Sequence, residues 1–306
     1  MTTRAYRRCT VCSKVIRPST DRTTCVTCVE PTAADPQMAS LFYDYESTPN
    51  IEIHSRREGD KLISISDTQF PFVDQPLLDA VHRFMSDWQP NDIIYNGDML
   101  DYYEISVFDK RPGTKFNIED EEQWARDLID LHEEIVPGSR KYWVDGNHEE
   151  RLTRATWRDA GKFASHVKTL PEVLGLAERG VGYVPYGKHV EYLGFVFTHG
   201  NFVSSDSAMT ARRHMLAYRS SGVNGHTHRL GSFSKTDMNR KSHTWFEQGC
   251  LCRLDLEYVK GHPDWQQGFL IGTVHGGALH PQLIHVIEAN GQRGFVADGR
   301  YYKVED

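Results

Sequence analysis

The feature that most constrains the fold is a repeated unit in which a short apolar run ends in polar residues and is followed by a helical stretch. Lys61 to Ser66 is predicted to be a strand that ends at Asp67. Ile93 to Asn96 is predicted to be another, which ends at Asp98, and the pattern of 77–88 between them is typical of a helix. Strands that alternate with helices favour a layered α/β sheet, which binds ligands at the carboxyl ends of its strands.

The same unit continues along the chain with more strand character. The apolar run 141–144 leads to Asn147, 195–198 leads to His199, and 222–224 leads to His226. Further strand-like runs follow after residue 230. We therefore predict an α/β fold with two β-sheets packed face to face as a sandwich, flanked by helices.

The length of 306 residues allows one catalytic domain and a small appendage. No run approaches the roughly 18–20 apolar residues that span a bilayer, and the polar start lacks the apolar core of a signal peptide. We expect a cytoplasmic protein with no membrane partner, either cellular or encoded by a phage and active in the host. The sequence does not predict the oligomeric state.

Four cysteines near the N-terminus form two pairs, Cys9 with Cys12 and Cys25 with Cys28, each with two residues between its members. The segment is too short and polar to bury a core, and a tetrahedral zinc ion supplies the missing folding energy. One alternative is two disulfides, which the expected intracellular setting disfavours. The other is a redox pair, which the lack of a surrounding strand and helix pattern disfavours. The module resembles a zinc ribbon, a class that docks nucleic acids or proteins.

The distribution of charge also separates the N-terminal segment from the rest of the chain. Residues 1–30 carry a net charge of +4 and the remainder carries −11. Any affinity for DNA or RNA is therefore expected from the N-terminal segment or from bound metal. We predict a zinc ribbon at 1–30, a proline-containing linker at 31–58 and a catalytic domain at 59–306.

Five polar clusters recur at the predicted strand ends, and each contains residues able to bind a metal. Any one of them alone is more often a turn than a ligand group. Together they provide carboxylate, amide and imidazole groups, a set that suits Mn, Fe or Zn at two adjacent positions. The predicted metal ligands are Asp67, Gln69, Asp98, Asn147, His199, His226 and His228.

These clusters resemble those of the calcineurin-like metallophosphoesterase superfamily over residues 60–290. The resemblance implies that Asp98 bridges two metals, that Asp67 and His228 hold the first, and that Asn147, His199 and His226 hold the second. It implies a metal-bridging hydroxide as the nucleophile. It also places His148 near the leaving group as the proton donor, with Asp101 orienting its imidazole.

Gln69 departs from this family, which usually has histidine there. A neutral amide oxygen should weaken the first site and favour Mn or Mg. The Asp-x-Gln form, Gly249–Cys252 and Trp265–Phe269 together resemble a phage-type branch of the superfamily. Cys250 and Cys252 lie two residues apart in a strand-like run, so we expect their side chains to point to opposite faces.

The sequence indicates the type of reaction more closely than it indicates the substrate. Tyr102 stands where the family's protein phosphatases have a phosphate-binding arginine, so Arg151, with Asn147, is the candidate substrate contact. We expect a phosphodiesterase or nuclease acting on phosphate esters of nucleic acid. The alternatives are a phosphomonoesterase for proteins or nucleotides, and a nucleic-acid-binding protein with weakened catalysis.

Overall fold

In a computed structural model, the described residues are 48–107, 116–256, 261 and 263–305, together with the two short strands Arg7–Arg8 and Val15–Ile16. The chain divides into two compact units, Met1–Leu41 and Phe42–Asp306. In the first unit β1 (Arg7–Arg8) pairs antiparallel with β2 (Val15–Ile16). The predicted zinc ligands Cys9, Cys12, Cys25 and Cys28 lie outside the described residues.

The second unit contains the remaining strands and the helices. In chain order its strands are β3 (Ile51–Ile53), β4 (Lys61–Ile65), β5 (Asp92–Asn96), β6 (Arg140–Val144), β7 (Val181–Val184), β8 (Val190–Tyr192), β9 (Phe195–Phe197), β10 (Ser221–Asn224), β11 (Leu230–Thr236), β12 (Ser242–Gln248), β13 (Gly268–His275), β14 (Ala278–His285), β15 (Ile287–Ala289), β16 (Gln292–Ala297) and β17 (Arg300–Lys303). Its α-helices are α1 (Gln75–Trp88), α2 (Ile118–Ile135), α3 (Glu150–Ala155), α4 (Leu170–Leu174) and α5 (Met209–Tyr218).

Two six-stranded sheets form the body of this unit. In the first sheet the order is β14-β13-β4-β5-β6-β7, and β4 to β7 run parallel. In the second the order is β11-β12-β10-β9-β8-β3, with β9, β10 and β12 parallel. Parallel strands need crossover connections, which the helices provide.

The first sheet is buried on both faces, as the apolar strand runs require. Ile63 and Tyr95 point to the face that packs on helices α1 and α2. Leu62 and Ile94, the alternate residues, point the other way and pack against Phe197 and other residues of the second sheet. The predicted two-sheet α/β sandwich with flanking helices is therefore confirmed.

Capping side chains fix the starts of both long helices. The Asp74 carboxylate accepts a hydrogen bond from the Leu77 N–H, and Pro76 lies in the first turn of α1. Asn117 and Asp120 form a reciprocal capping box at the start of α2. Such caps satisfy N–H groups that have no partner within the helix.

Two features were not predicted from the sequence. Ile51–Ile53, inside the segment predicted as linker, forms strand β3 at an edge of the second sheet, where it pairs with β8. The C-terminal strands β15, β16 and β17 form a separate antiparallel sheet.

Among the described residues, no helix combines the length and apolar character that a bilayer span requires.

Candidate metal centre

The predicted ligands lie at the carboxyl ends of strands from both sheets. Asp67, Asp98 and Asn147 follow β4, β5 and β6 of the first sheet. The histidines His199 and His226 follow β9 and β10 of the second. The structure thus gathers ligands that are far apart in the sequence at one end of the sandwich.

Left-handed backbone conformations are concentrated in these loops. Non-glycine residues rarely adopt positive φ, and each such residue costs about 1–3 kcal/mol. Five of the seven predicted ligands have it, namely Asp67 (φ 53°), Gln69 (46°), Asp98 (50°), His226 (70°) and His228 (55°). Strain of this kind is typical of functional sites that the surrounding structure holds in place.

The first cluster consists of Asp67, Gln69 and His228, all buried. The Nε2 atom of His228 lies 3.1 Å from Asp67 Oδ1 and 3.0 Å from Gln69 Nε2. The Gln69 amide therefore faces the predicted ligand His228, and rotating the amide by half a turn presents its oxygen instead of its nitrogen. This cluster offers the carboxylate, amide and imidazole groups predicted for the first metal.

The second cluster consists of Asp98, His199 and His226, whose ligand atoms lie within 4.8 Å of one another. His199 Nε2 is 3.1 Å from Asp98 Oδ2. The opposite ring nitrogen, Nδ1, is 3.0 Å from the carbonyl oxygen of Asn96, to which it donates. That hydrogen bond directs Nε2 towards the cluster, a device that orients metal-binding histidines.

Backbone hydrogen bonds connect the two clusters. The His226 N–H donates to the Asp67 carboxylate at 3.1 and 3.2 Å. The Gln69 N–H donates to the carbonyl of Asp98 at 3.0 Å. The clusters therefore lie side by side, as two adjacent metal positions require.

Asn147 supports the same interpretation. Its Oδ1 atom is buried and accepts no hydrogen bond from the described residues. A buried polar atom without a partner is costly, and metal ligation is one way to satisfy it. The donor set and this oxygen fit a dinuclear centre.

Two glycines are required because the carboxylates approach the backbone closely. A Cβ atom on Gly146 would overlap the Asp98 side chain, and one on Gly225 would overlap that of Asp67. Any larger residue would displace a ligand. Close approach of these carboxylates is therefore what requires glycine at both positions.

Glu149 has a role that the sequence did not reveal. Its buried carboxylate accepts four backbone hydrogen bonds, from Asp98 (2.9 Å), Met99 (2.8 Å), Leu100 (3.0 Å) and Gly146 (2.8 Å). Burial and the nearby Asp98 raise the pKa of Glu149, but four donors occupy both of its oxygens and leave no position for a proton. An ionised Glu149 therefore holds two ligand loops together.

His148, Asp101 and Arg151 lie together at the edge of the centre. His148 Nδ1 is 3.5 Å from Asp101 Oδ1, and His148 Nε2 is 3.6 Å from Asp98 Oδ2. Arg151 contacts both members of the predicted pair of His148 and Asp101. Its guanidinium donates to Asp101 Oδ1 at 2.6 Å and lies 2.9 Å from His148 Nε2. Tyr102, by contrast, is buried away from solvent.

The electrostatics of the second cluster favour a bound cation. Burial disfavours the charged form of Asp98, yet the imidazoles of His148 and His199 hold its pKa well below the usual range. Burial also opposes charge on His199, but the Asp98 carboxylate raises the pKa of His199 to about 10. Asp98 thus attracts positive charge strongly, and in the apoprotein a proton on His199 supplies it.

Three further residues near the centre were not assigned by the sequence. Cys250 and Cys252 do not point to opposite faces as predicted: their sulfurs and a His228 nitrogen lie within 4.8 Å of one another, and His228 Nδ1 is 3.9 Å from Cys252 Sγ. The positive φ of Gly249 (79°) ends the regular strand before them. Burial raises the pKa of Tyr186 to about 12, and the negative charges of Glu150 and Asp98 act in the same direction.

A cleft of about 790 Å³ opens beside the first cluster. Trp265 lines it and packs its indole edge-on against the His228 ring, with centroids 4.2 Å apart. Arg253 and Arg293 also line the cleft. Asp74, Asp255 and Glu288 line it as well, so the cleft beside His228 carries charges of both signs.

No family model matches the chain. The chain is 31% identical over 260 residues to the gene 54 protein of Mycobacterium phage L5, covering 80% of this chain and 99% of that protein. It is 29% identical over 265 residues to the gene 54 protein of Mycobacterium phage D29, with the same coverage of 80% and 99%.

Two solved structures of Vps29 are similar at lower identity. Vps29 of Chaetomium thermophilum aligns with a TM-score of 0.43 and 12% identity, over 81% of this chain and 96% of its own. Vacuolar Protein Sorting 29 of Cryptosporidium parvum aligns with a TM-score of 0.41 and 16% identity, over 81% and 96%.

Proposed function

The chain belongs to the family of the Mycobacterium phage gene 54 proteins, and we propose that it is a dinuclear metallophosphoesterase that hydrolyses phosphodiesters of nucleic acid. The observation that carries the proposal is the position of Asp98. Its carboxylate lies 3.1 Å from His199 in the second cluster, and its backbone is bonded to Gln69 of the first. A bridging carboxylate needs this position between two ligand groups.

Residues of both clusters would hold the metals. Asp67, Gln69 and His228 would bind the first, Asn147, His199 and His226 the second, and Asp98 both. Manganese is the metal we expect, with Fe, Zn or Mg as alternatives, because neutral Gln69 replaces a nitrogen ligand. When bound, two metals polarise the phosphate and lower the pKa of a bridging water.

His148 and Arg151 act on the substrate. His148 is placed at the edge of the centre to give a proton to the leaving oxygen. Arg151 donates to His148 in the free protein, and a phosphate oxygen with a full negative charge is a stronger acceptor than imidazole. Arg151 therefore exchanges His148 for the phosphate, which leaves the His148 Nε2 atom free to take up from solvent the proton that it then gives to the leaving oxygen.

The charges of the site favour a diester over a monoester. A diester carries one negative charge and a monoester close to two. Arg151, the arginine at this edge, is already paired with the Asp101 carboxylate at 2.6 Å. Buried Tyr102 stands where a second phosphate-binding cation would be needed. The phage relatives support a role in the host cell, where we propose nucleic acid as the substrate and the N-terminal module as a second contact to DNA or RNA.

The test is hydrolysis of bis-p-nitrophenyl phosphate and p-nitrophenyl phosphate by the full chain with added Mn. We expect a preference for the diester and loss of activity in Asp98→Ala, because two unbridged cations repel each other and at least one is released. Asp130→Ala, which removes an exposed carboxylate of α2, is the matched control and should retain activity.

Three results would contradict the proposal. One is a clear preference for the monoester. Another is more than a few per cent of activity in Asp98→Ala. The third is metal analysis that finds only one zinc per chain even after Mn is added, which would favour a binding protein instead.

A further inference from the structure

Residues 150–168, here called the basic arm, form an exposed helical segment that begins at the metal centre. The arm consists of α3 (Glu150–Ala155), a π-helical turn (Thr156–Ala160) and a 3-10 segment (Gly161–His166). Single π-helical turns occur frequently at functional sites. The arm was not assigned a role by the sequence or by the proposed mechanism, apart from Arg151.

Two aromatic side chains of the arm are unusually exposed. Trp157 is 58% exposed and Phe163 is 73% exposed, the highest values for aromatic residues in the described part of the chain. Single exposed apolar side chains are common, but two exposed aromatic rings on one short segment are typical of an interaction surface. Their exposure points to a ligand with flat apolar faces.

Cationic side chains are interleaved with these rings. The arm contains five lysines and arginines but two acidic residues, a net charge of +3 in a chain of −7. Arg154 and Arg158 are paired with Glu150 and Asp159 at 2.8 Å, but both guanidinium groups are exposed, and exposed ion pairs are weak. They can be exchanged for a ligand with stronger negative charge.

The combination of exposed aromatic rings and cationic side chains indicates which class of partner the arm binds. A surface that docks another protein is enriched in aromatic residues and arginine but depleted of lysine, and the arm carries both Lys162 and Lys168. Alternating rings and cations instead match single-stranded nucleic acid, whose bases stack on aromatics while its phosphates contact Lys and Arg. In a duplex the base faces are already stacked against one another, so Trp157 and Phe163 would find no free base face to stack on.

The position of the arm would bring a bound strand to the metal centre. Arg151, in its first turn, contacts His148 at 2.9 Å. A rise of 1.5 Å per residue puts Trp157 about 9 Å further along the helix axis. A strand bound along the arm would therefore lead directly to the reacting phosphate.

We infer that the basic arm binds single-stranded nucleic acid, with bases stacked on Trp157 and Phe163 and phosphates held by Arg154, Arg158, Lys162 and Lys168. The inference rests on the proposed function, because it names the substrate class and how the substrate is presented to the metal centre. The arm binds the strand whether or not hydrolysis follows.

The test is fluorescence anisotropy of labelled dT20 and U20 with the full chain and no added divalent metal. Each of Trp157→Ala and Phe163→Ala should weaken binding by about 5- to 100-fold, as stacking energies imply. Arg158→Gln with Lys162→Gln should reduce the salt dependence, since each lost phosphate contact lowers its slope by about 0.7 for single strands. The two oligonucleotides show whether DNA or RNA is preferred.

Matched controls lie elsewhere on the surface. Tyr301→Ala removes an exposed ring of β17, and Lys235→Gln with Lys241→Gln removes exposed charges of the β11–β12 hairpin. Neither should change binding. All arm variants should hydrolyse bis-p-nitrophenyl phosphate at the wild-type rate, which shows that the metal centre is intact.

The inference is overturned if the wild type binds neither oligonucleotide, if the arm variants bind as tightly as the controls, or if duplex competes equally. It is also overturned if Trp157→Ala changes the sedimentation behaviour instead of oligonucleotide affinity, which would make the arm a protein interface. Failure to hydrolyse the chromogenic diester contradicts the proposed function alone, because anisotropy does not depend on turnover.

Discussion

Replacing Glu149 by glutamine removes one carboxylate oxygen from beneath two ligand loops. In the wild type each oxygen accepts two N–H groups. A glutamine side chain has one oxygen and one NH2 group, so in either orientation two buried N–H groups lose their acceptor and face another donor. Each such group costs about 1–3 kcal/mol, which gives a loss of about 2–6 kcal/mol in the free energy of unfolding.

The same change should weaken metal binding. The backbone N–H groups of Asp98 and Gly146 donate to the Glu149 carboxylate, so Asp98 and the loop that bears Asn147 would no longer be held at a fixed separation. Losing a residue that orients metal ligands typically costs 10- to 100-fold in affinity or activity. We expect about that loss in the affinity for Mn.

Urea unfolding followed by tryptophan fluorescence measures the first effect, and calorimetric titration with Mn measures the second. Glu178→Gln makes the same chemical change at an exposed position and should stay within about 0.5 kcal/mol of the wild type. If Glu149→Gln behaved like this control in both assays, the four hydrogen bonds would not be what holds the loops.

Three other predictions follow from the site. His148→Ala should lower the rate of diester hydrolysis by about 10² to 10⁴ with unchanged metal content by elemental analysis, and metal loss would make His148 a ligand. Gln69→His should raise Mn affinity by about 10- to 100-fold in activity titrations, and an unchanged Mn dependence would mean that residue 69 does not face the ion. Burial and Asp101 raise the pKa of Glu121 from 4.5 to about 8, against the opposing N–H groups of Tyr102 and Tyr103. The folded protein then keeps a proton that the unfolded chain loses, so its stability should fall as pH rises from about 4.5 to about 8, and Glu121→Gln should flatten that fall in urea midpoints.

The order of the elements could be predicted because it depends on local patterns. The predicted helix Leu77 to Trp88 is observed as Gln75–Trp88, and the extra turn reflects capping by Asp74. The predicted strand Ile93 to Asn96 is observed as Asp92–Asn96. Ligands at strand ends could be predicted for the same reason, since carboxyl ends of parallel strands meet at one edge of a sheet.

Contacts between distant residues could not be predicted in this way. Three of the four N–H groups that donate to Glu149 belong to residues 49 to 51 positions away, and nothing local to Glu149 indicates them. The contact of Arg151 with His148 is local, but its other partner, Asp101, lies 50 residues away. The expectation for Cys250 and Cys252 was wrong because strand alternation stops at Gly249, where the backbone turns left-handed.

The division of the ligands between the two sheets has a consequence for the lifetime of the folded protein. Asp67 and His226 are 159 residues apart, so the unfolded chain must close a long loop before one ion can bind both. We expect metal contacts of this kind to form after the transition state for folding, because the long loop has to close first. Interactions absent from the transition state leave the folding rate unchanged and slow unfolding instead. Bound metal would therefore slow the separation of the two sheets, and the folded protein would resist proteolysis longer with metal than without it.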